Sequence, residues 1–330
     1  MNRLIVLVLV MIIFLSSSCK KDKLHANDEM PDPPKPEWQL YSSANSKLPD
    51  NQVNSIVIGQ DNVKWIGTAN GLVRIIDNAW TVFTSENSPL PSSFVQALAV
   101  QPNGSLWVGT DKGLASYSGS VWNVYTSGNS ALPENPIMSI THDSKFDRIW
   151  VGTSKGLVRI ENAGNWKLHD ETSGDLLYSM ATDQQGNLWI GAFNHFQFQG
   201  RIRKLEGDTW TAYKLNDAGY TSTYPYSIAV DKNNVVIALL TGTSVSAVVR
   251  LNGGVFEEIP KPKDAHGLKT LLLEEDKIWV GGKNLSLFGN TASHVIQIPG
   301  TDNQILAIAR DKTGGKWIGM LGGGLAVYRQ

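Results

Sequence analysis

The chain has 330 residues and a formal net charge of −1 at pH 7, and it contains one cysteine and 11 tryptophans. This near-neutral balance, with no basic stripe along the sequence, argues against a nucleic-acid-binding protein. A single cysteine excludes a disulfide within the chain. Segments with a helical period are missing, and Val, Ile, Leu, Trp and Gly dominate, which predicts an all-β protein.

The first 18 residues have the composition of a secretory signal. Arg3 precedes an apolar run over residues 4–15, and three serines and Cys19 follow it. The run is shorter than the roughly 20 residues that a membrane-spanning helix needs, so residues 1–18 are predicted to be a signal peptide. The lone cysteine after small residues resembles a bacterial lipoprotein signal, which implies cleavage before Cys19 and a lipid on its sulfur. The alternative is a plain signal peptide followed by an incidental thiol.

Residues 19–36 are rich in charge, contain four prolines and show no apolar period. This composition predicts a flexible tether, which at about 3 Å per residue could hold the following domain roughly 50 Å from a membrane. Signal and tether together predict a bacterial cell-envelope protein that contacts the membrane through its lipid anchor. We expect an outer-membrane lipoprotein that faces either the periplasm or the cell exterior.

A repeated unit fills residues 37–330. Each copy has an apolar strand, a polar turn, the phrase Leu/Ile-Trp-Ile/Val-Gly, a Gly-Leu strand and a Trp-x-x-aromatic strand. The first tryptophan recurs about every 42 residues, a period typical of β-propellers with four strands per blade. It stands at Trp65, Trp107, Trp150, Trp189, Trp279 and Trp317, and Val236 takes the remaining slot. The second tryptophan stands at Trp38, Trp80, Trp122, Trp166 and Trp210, and Phe256 takes the next slot.

These units predict a seven-bladed β-propeller of four-stranded antiparallel blades, with strands A to D in each unit. In the second unit the strands are predicted at residues 94–100, 105–109, 114–117 and 121–126. One slot in strand A is small in every unit, as expected where blades converge on an axis. It holds Ser55, Ala97, Ser139, Ser179, Ser227, Thr270 and Ala307. Because a large aromatic side chain buries roughly 150–250 Å², the tryptophans are interpreted as packing between blades rather than as sugar platforms.

A displaced copy of one phrase predicts how the ring closes. Asn-Ser-x-Leu-Pro follows strand D in the first two units, and it also occurs at residues 45–49, before any full unit. The seventh unit has strands A, B and C only, the last at residues 325–328, whereas residues 37–41 form an isolated strand D. The N-terminal strand is therefore predicted to complete the last blade, which leaves only short blade edges exposed.

The phrase Asn-Ser-x-Leu-Pro, an apolar strand, Leu-Trp-Val-Gly-Thr-x-x-Gly-Leu and a Trp-x-x-Tyr strand together resemble the two-component regulator propeller repeat. The similarity is clear in the first three units and weaker after Gly191. The resemblance implies a bacterial sensor-type propeller, because in that family the repeats form periplasmic sensing regions of membrane receptors, many tied to polysaccharide use. We expect a stand-alone lipoprotein here, without the kinase and regulator parts of those receptors.

In a propeller, the D-to-A and B-to-C loops emerge on one face around the axis. Two of them are predicted to be long, at residues 192–200 in the fourth unit and at residues 216–226 after it. Their aromatic, amide and hydroxyl groups suit a sugar or another neutral polar ligand. The candidate ligand-binding residues are Phe193, His195, Phe196, Phe198, Tyr220, Tyr224 and Tyr226, with Tyr178 at the start of the fourth strand A. The alternative is that Phe196 and Phe198 simply pack along an extended hairpin.

Neither a metal nor a cofactor is predicted. The six histidines show no metal-ligand spacing and are expected on the surface. The Asp-x-x-Gly stretches at residues 183–186 and 311–314 are interpreted as A-to-B turns rather than calcium loops. A phosphate loop, a nucleophile elbow and a catalytic dyad are all missing from the sequence.

Channel-side residues are predicted at the start of strand A. They are Asn54, Gln96, Met138, Tyr178, Tyr226 and Lys269. One cation without an acid is a poor set for acid–base chemistry, which favours a non-catalytic domain that binds a glycan or an envelope protein. The alternatives are a propeller lyase or hydrolase that acts on a polysaccharide, and a scaffold subunit of an envelope complex.

Overall fold

The structure, a computed structural model, describes residues 37–161, 165–242, 246–262, 265–288, 293–300 and 304–329. The predicted signal peptide, Cys19 and the tether lie outside the described residues. Within these ranges, no helix is both long and apolar enough to cross a membrane.

Seven four-stranded antiparallel sheets make up the fold, and each is one blade. Blade 1 contains β2 (Val53–Ile58), β3 (Lys64–Thr68), β4 (Gly71–Ile76) and β5 (Ala79–Phe83). Blade 2 contains β6 (Val95–Val100), β7 (Leu106–Thr110), β8 (Gly113–Ser118) and β9 (Val121–Tyr125). Blade 3 contains β10 (Ser139–Asp143), β11 (Arg148–Thr153), β12 (Gly156–Glu161) and β13 (Asn165–His169). In each blade these strands are A to D in chain order, as predicted.

The next three blades follow the same order. Blade 4 contains β14 (Asp175–Thr182), β15 (Leu188–Asn194), β16 (Gln199–Glu206) and β17 (Thr209–Lys214). Blade 5 contains β18 (Thr223–Val230), β19 (Val236–Gly242), β20 (Ser246–Asn252) and β21 (Val255–Ile259). Blade 6 contains β22 (Thr270–Glu274), β23 (Lys277–Gly281), β24 (Leu285–Phe288) and β25 (Ser293–Ile296). Two 3₁₀ helices, Asp170–Thr172 and Leu215–Ala218, lie in the connections on either side of blade 4.

Blade 7 joins the two ends of the described chain. It contains β26 (Ile305–Arg310), β27 (Lys316–Met320), β28 (Leu325–Arg329) and, as its outer strand, β1 (Glu37–Tyr41). Trp38 pairs with Tyr328 in the ladder, and their ring centroids are 4.8 Å apart. Strand β2 of blade 1 contacts both β26 and β6, so the ring is continuous through blade 7. The predicted seven-bladed architecture and its closure by the N-terminal strand are confirmed.

Close approach between blades explains the small slot in strand A. Ser55 pairs with Gly67, the glycine of the Trp-Ile-Gly phrase. A Cβ atom on Gly67 would lie 2.6 Å from Cγ1 of Val95 in the next blade, so only glycine lets the next strand A pack there. The same pair recurs in every blade except blade 5, where Leu239 takes the glycine position and is fully buried.

An aromatic ladder links neighbouring blades farther from the axis. Tyr41 of blade 7 stacks on Trp317 of its own blade at 6.5 Å and contacts Trp80 of blade 1 at 5.1 Å. Tyr125 repeats both contacts, with Trp107 and Trp166. The interpretation of the tryptophans as inter-blade packing is therefore confirmed.

Histidine 169 occupies the ladder position in blade 3. Its ring lies 5.5 Å from Trp150 and 6.1 Å from Trp210 of the next blade, and only 3% of the residue is exposed. Burial, with further contributions from Lys167 and Arg159, lowers the pKa of this imidazole. The expectation of surface histidines is thus wrong for His169. Its burial could have been predicted, because His169 takes the aromatic position of the fourth Trp-x-x-aromatic phrase.

Candidate ligand site at the mouth of the channel

Strand A carries an extra residue near its start in five of the seven blades. In blade 1, Val53 pairs with Thr68 and Ser55 pairs with Gly67, so Asn54 between them has no partner in the ladder. The equivalent extra residues are Gln96, Tyr178, Tyr226 and Leu306. A β-bulge of this kind re-aims its extra side chain, and in this fold it directs that side chain to the channel.

A cavity of about 460 Å³ lies at the mouth of the channel, among the D-to-A and B-to-C loops. Each blade contributes one residue from the start of strand A to its wall. These residues are Asn54, Gln96, Met138, Tyr178, Tyr226, Lys269 and Leu306. Phe94, Pro136, Ile137 and Asp111 come from the loops and complete the wall. The structure thus brings together the six channel-side residues predicted from the repeat, and Leu306 is the seventh.

Three wall residues from consecutive blades form what we call the aromatic arc: Tyr178, Tyr226 and Lys269. The ring centroids of Tyr178 and Tyr226 are 5.0 Å apart, and Nζ of Lys269 lies 3.4 Å from the centroid of Tyr226. Burial, with smaller contributions from the nearby Tyr226 and Tyr224, raises the pKa of Tyr178 to about 12. The Tyr178 hydroxyl therefore stays protonated at neutral pH and can donate a hydrogen bond.

The opposite side of the cavity, which we call the polar arc, consists of Asn54, Gln96 and Asp111. Nδ2 of Asn54 donates to the carbonyl oxygen of Val95 at 2.9 Å, and Nε2 of Gln52 donates to Oδ1 of Asn54 at 2.9 Å. These two bonds fix the orientation of the Asn54 amide. The side chains of Gln96 and Asp111 are exposed and make no hydrogen bond to any residue in the described ranges, so their polar atoms can meet a ligand.

Two predicted site residues lie behind the aromatic arc. Phe193 and Tyr224 stack with centroids 4.1 Å apart and planes 27° apart. The Tyr224 ring is 6.0 Å from Tyr178 and 5.9 Å from Tyr226. Phe193 is only 3% exposed and lies within β15, not in a loop. The pair therefore supports the arc by packing.

The predicted loop at residues 192–200 is mostly a longer hairpin. Strand β15 extends to Asn194 and β16 begins at Gln199, so only residues 195–198 form the turn. Phe196 and Phe198 are 75% and 69% exposed there, and the His195 ring lies 4.0 Å from Phe196. The alternative that both phenylalanines pack along the hairpin is wrong. None of these tip residues lies in the cavity wall.

The second predicted loop, residues 216–226, is also partly regular. A 3₁₀ helix ends at Ala218, and β18 starts at Thr223, so Tyr224 and Tyr226 belong to a strand. Tyr220 is half-buried against Phe256, with ring centroids 6.4 Å apart, in the apolar cluster between blades 4 and 5. Burial, and then Glu258, raises its pKa. The structure therefore places Tyr220 in inter-blade packing, apart from the cavity.

The carboxylate of the polar arc was missed by sequence reasoning. Asp111 lies in the tight turn Thr110-Asp-Lys-Gly113 between β7 and β8, which resembles the regular turns of its neighbours. One sequence feature could have drawn attention to Asp111: the corresponding turns of units one and three, at residues 68–71 and 153–156, contain no acidic residue. Only the ring geometry brings this turn to the same cavity as Lys269.

The two Asp-x-x-Gly stretches are structural turns, as predicted. Oδ1 of Asp311 accepts from the amide of Gly315 at 2.8 Å, and Oδ2 accepts from Nε1 of Trp317 at 2.9 Å. Asp183 makes the same bond to Nε1 of Trp189 at 3.1 Å. Their oxygens are thus used to hold the A-to-B turn onto the tryptophan of strand B. In the part of the chain that the structure describes, no group of His, Cys, Asp and Glu could hold a metal ion.

One stretch of the chain matches the model of a known family. Residues 89–112, which run from the end of one repeated phrase through β6 and β7, match the family model of the two component regulator propeller. The chain carries this propeller repeat. The match confirms the resemblance drawn from the repeated phrases, and a search of curated proteins finds no significant relative.

Solved structures share the fold at low sequence identity. A catalytically inactive histidine-to-alanine variant of virginiamycin B lyase from Staphylococcus aureus, solved with quinupristin, is 15% identical with a TM-score of 0.74, over 90% of this chain and 100% of that one. The extracellular domain of the putative hybrid two component system BT3049 from B. thetaiotaomicron is 17% identical with a TM-score of 0.70. That match covers 88% of this chain but 41% of the other. YCF48 bound to D1 peptide is 13% identical with a TM-score of 0.66, over 91% and 98% of the two chains. These likenesses establish the fold alone.

Proposed function

We propose that this propeller is a non-catalytic binding domain of the bacterial cell envelope and that it holds a glycan in the cavity at the channel mouth. One observation carries the proposal: a single cavity has an aromatic arc on one side and a polar arc on the other. Its volume of about 460 Å³ lies within the usual range of roughly 300–1,000 Å³ for small-molecule sites.

The two arcs match the two kinds of surface on a sugar ring. The rings of Tyr178 and Tyr226 line the cavity and offer apolar area to the C–H groups of a pyranose, and such apolar walls with a few placed polar groups are typical of ligand sites. The amides of Asn54 and Gln96 and the carboxylate of Asp111 can exchange hydrogen bonds with ring hydroxyls. A saccharide is therefore a better fit than a purely apolar ligand.

The cavity wall supports binding rather than catalysis. Virginiamycin B lyase loses its catalysis when one histidine becomes alanine, whereas no histidine is among the described residues of this wall. The two charged groups that do line it, Lys269 and Asp111, come from blades 6 and 2. In the ring these blades are separated by blades 7 and 1, so the two groups are poorly placed to act as an acid–base pair on one bond.

The proposed location follows from the sequence and the family. A signal peptide, a lipid on Cys19 and a tether would place the propeller outside the cytoplasm. The domain of the B. thetaiotaomicron system that has the same fold is also extracellular. A propeller held at a membrane in this way would meet glycans before they are imported. The scaffold alternative would use the same loop face to hold a protein partner.

Calorimetric titration of the purified protein with a panel of neutral and acidic oligosaccharides tests the binding function. At least one saccharide should bind, and Tyr226→Ala should weaken that binding about tenfold, since loss of one aromatic contact of roughly 1.4 kcal/mol has that effect. Phe198→Ala, which removes an exposed ring of the hairpin tip, is the matched control and should leave the affinity unchanged.

Two results would contradict this proposal. If no saccharide in the panel binds, the glycan function is wrong. If a saccharide binds and only Phe198→Ala weakens it, the site lies on the hairpin tip and not in the channel mouth.

A further inference from the structure

Among the described residues that line the cavity, Lys269 is the one cation. It directly precedes β22, and its backbone amide donates to the carbonyl oxygen of Gly281 at 2.8 Å, which fixes where the side chain starts. Its ammonium lies 3.4 Å from the centroid of the Tyr226 ring. A cation over an aromatic face is held in place but keeps its full charge.

This charge is not neutralised by an ion pair with any residue that the structure describes. Within the described residues, Lys269 makes neither a hydrogen bond nor an ion pair through its ammonium. Asp111 is the one carboxylate among the wall residues that the structure describes, and the order of strand A contacts around the ring puts its blade 2 across the channel from blade 6. The wall is therefore polarised, with a positive group on the aromatic arc and a negative group on the polar arc.

A neutral sugar would leave the ammonium without a counter-charge as it displaces water from the cavity. Removing water from an unpaired charge is unfavourable, whereas an anionic group on the ligand would compensate for it. The hydroxyls of Tyr178 and Tyr226 make no hydrogen bond within the described part of the chain, so they can donate to the same anionic group. The positive group and the two hydroxyl donors thus belong to the same arc of the cavity wall.

We propose that the site prefers an anionic saccharide, one that carries a carboxylate or a sulfate, with the anionic group at Lys269 and the hydroxyls toward Asn54, Gln96 and Asp111. This inference rests on the proposed function, because it names the class of glycan for the same cavity. Lysine is a point charge that does not select a planar carboxylate over a sulfate, so the experiment compares both.

The test uses three probes: a galacturonate trisaccharide, its fully methyl-esterified form, and a sulfated galactose trisaccharide. The ester keeps the sugar rings and all their hydroxyls but removes the negative charges. We expect the acid to bind about tenfold more tightly than the ester, and its affinity to fall as salt is raised. Lys269→Met, which keeps the length of the side chain, should make acid and ester bind alike. Lys277→Met, an exposed lysine at the A-to-B turn of the same blade, should leave the preference intact.

The outcomes separate the two proposals. If the acid binds more tightly than both the ester and the sulfated sugar, the ligand carries a carboxylate. If the sulfated sugar binds most tightly, the ligand carries a sulfate. In either case, the inference requires that Lys269→Met abolish the preference over the ester. If the ester binds as tightly as the acid, or if Lys269→Met keeps the preference, the inference is wrong while the glycan function stands. If none of the probes nor any neutral sugar binds, both are wrong.

Discussion

Deletion of β1, residues 37–41, should destabilise the propeller although it removes only five residues at one end. These residues pair with β28 along their whole length, and ladder hydrogen bonds contribute about 1 kcal/mol each, or about 5 kcal/mol together. The half-buried Trp38 and Tyr41 add about 5 kcal/mol from burial and ring contacts. Ordering five residues costs about 7 kcal/mol. The net loss on deletion is therefore about 3 kcal/mol, which corresponds to a fall in Tm of roughly 5–10 °C for a domain of this size.

Thermal unfolding followed by circular dichroism measures this effect. The matched control is a deletion of the same length at residues 26–30, within the predicted tether, which should leave the Tm unchanged. The β1 deletion also exposes the outer edge of β28, so it should increase association at high protein concentration. A β1 deletion with the Tm of the full chain would show that closure of the ring contributes nothing to stability, and the reasoning on blade 7 would be refuted.

Two further predictions concern His169 and Cys19. Burial lowers the pKa of His169 below its ordinary value near 6.5, so the unfolded chain takes up the proton first and stability should fall as the pH drops below about 6.5. His169→Phe, which copies Phe83 in the same slot of blade 1, should reduce this acid sensitivity in melts between pH 7.5 and 5; equal sensitivity in both proteins would contradict the assignment. Cells grown with radioactive palmitate should label the protein, and Cys19→Ala should abolish the label; a label that persists in the variant would rule out the anchor at Cys19.

Much of the fold was predictable because propeller packing repeats its requirements from blade to blade. The slot in strand A is small in all seven units, and the ladder position of strand D holds an aromatic ring in blades 7, 1, 2, 3 and 4. His169 shows the limit of this reasoning. A residue type that is usually exposed was assigned to the surface, although its slot in the repeat required burial.

The candidate site was predictable only in part. The repeat register placed Tyr178, Tyr226 and Lys269 at the channel, because strand A begins at the same point in every unit. Phe196 and Phe198 were predicted to belong to the same site, but they lie at the tip of a hairpin outside the cavity wall. The sequence does not show how far β15 and β16 extend before the chain turns. The opposing carboxylate of Asp111 belongs to a blade that is distant in sequence from Tyr226 and Lys269, and only the closed ring brings it to the same cavity.

Because of the bulges at the start of strand A, the residues that line the cavity are different from the residues that pair within the sheets. The extra residue of each bulge, such as Asn54 or Tyr226, takes no part in the ladder, and the buried apolar packing between blades is made by neighbours such as Val53. Substitution at these positions, and at Met138 and Lys269 in the two blades without a bulge, should therefore alter what enters the pore with little effect on the scaffold. A library randomised at these seven positions could therefore change which ligand the protein recognises, while the seven blades keep their structure.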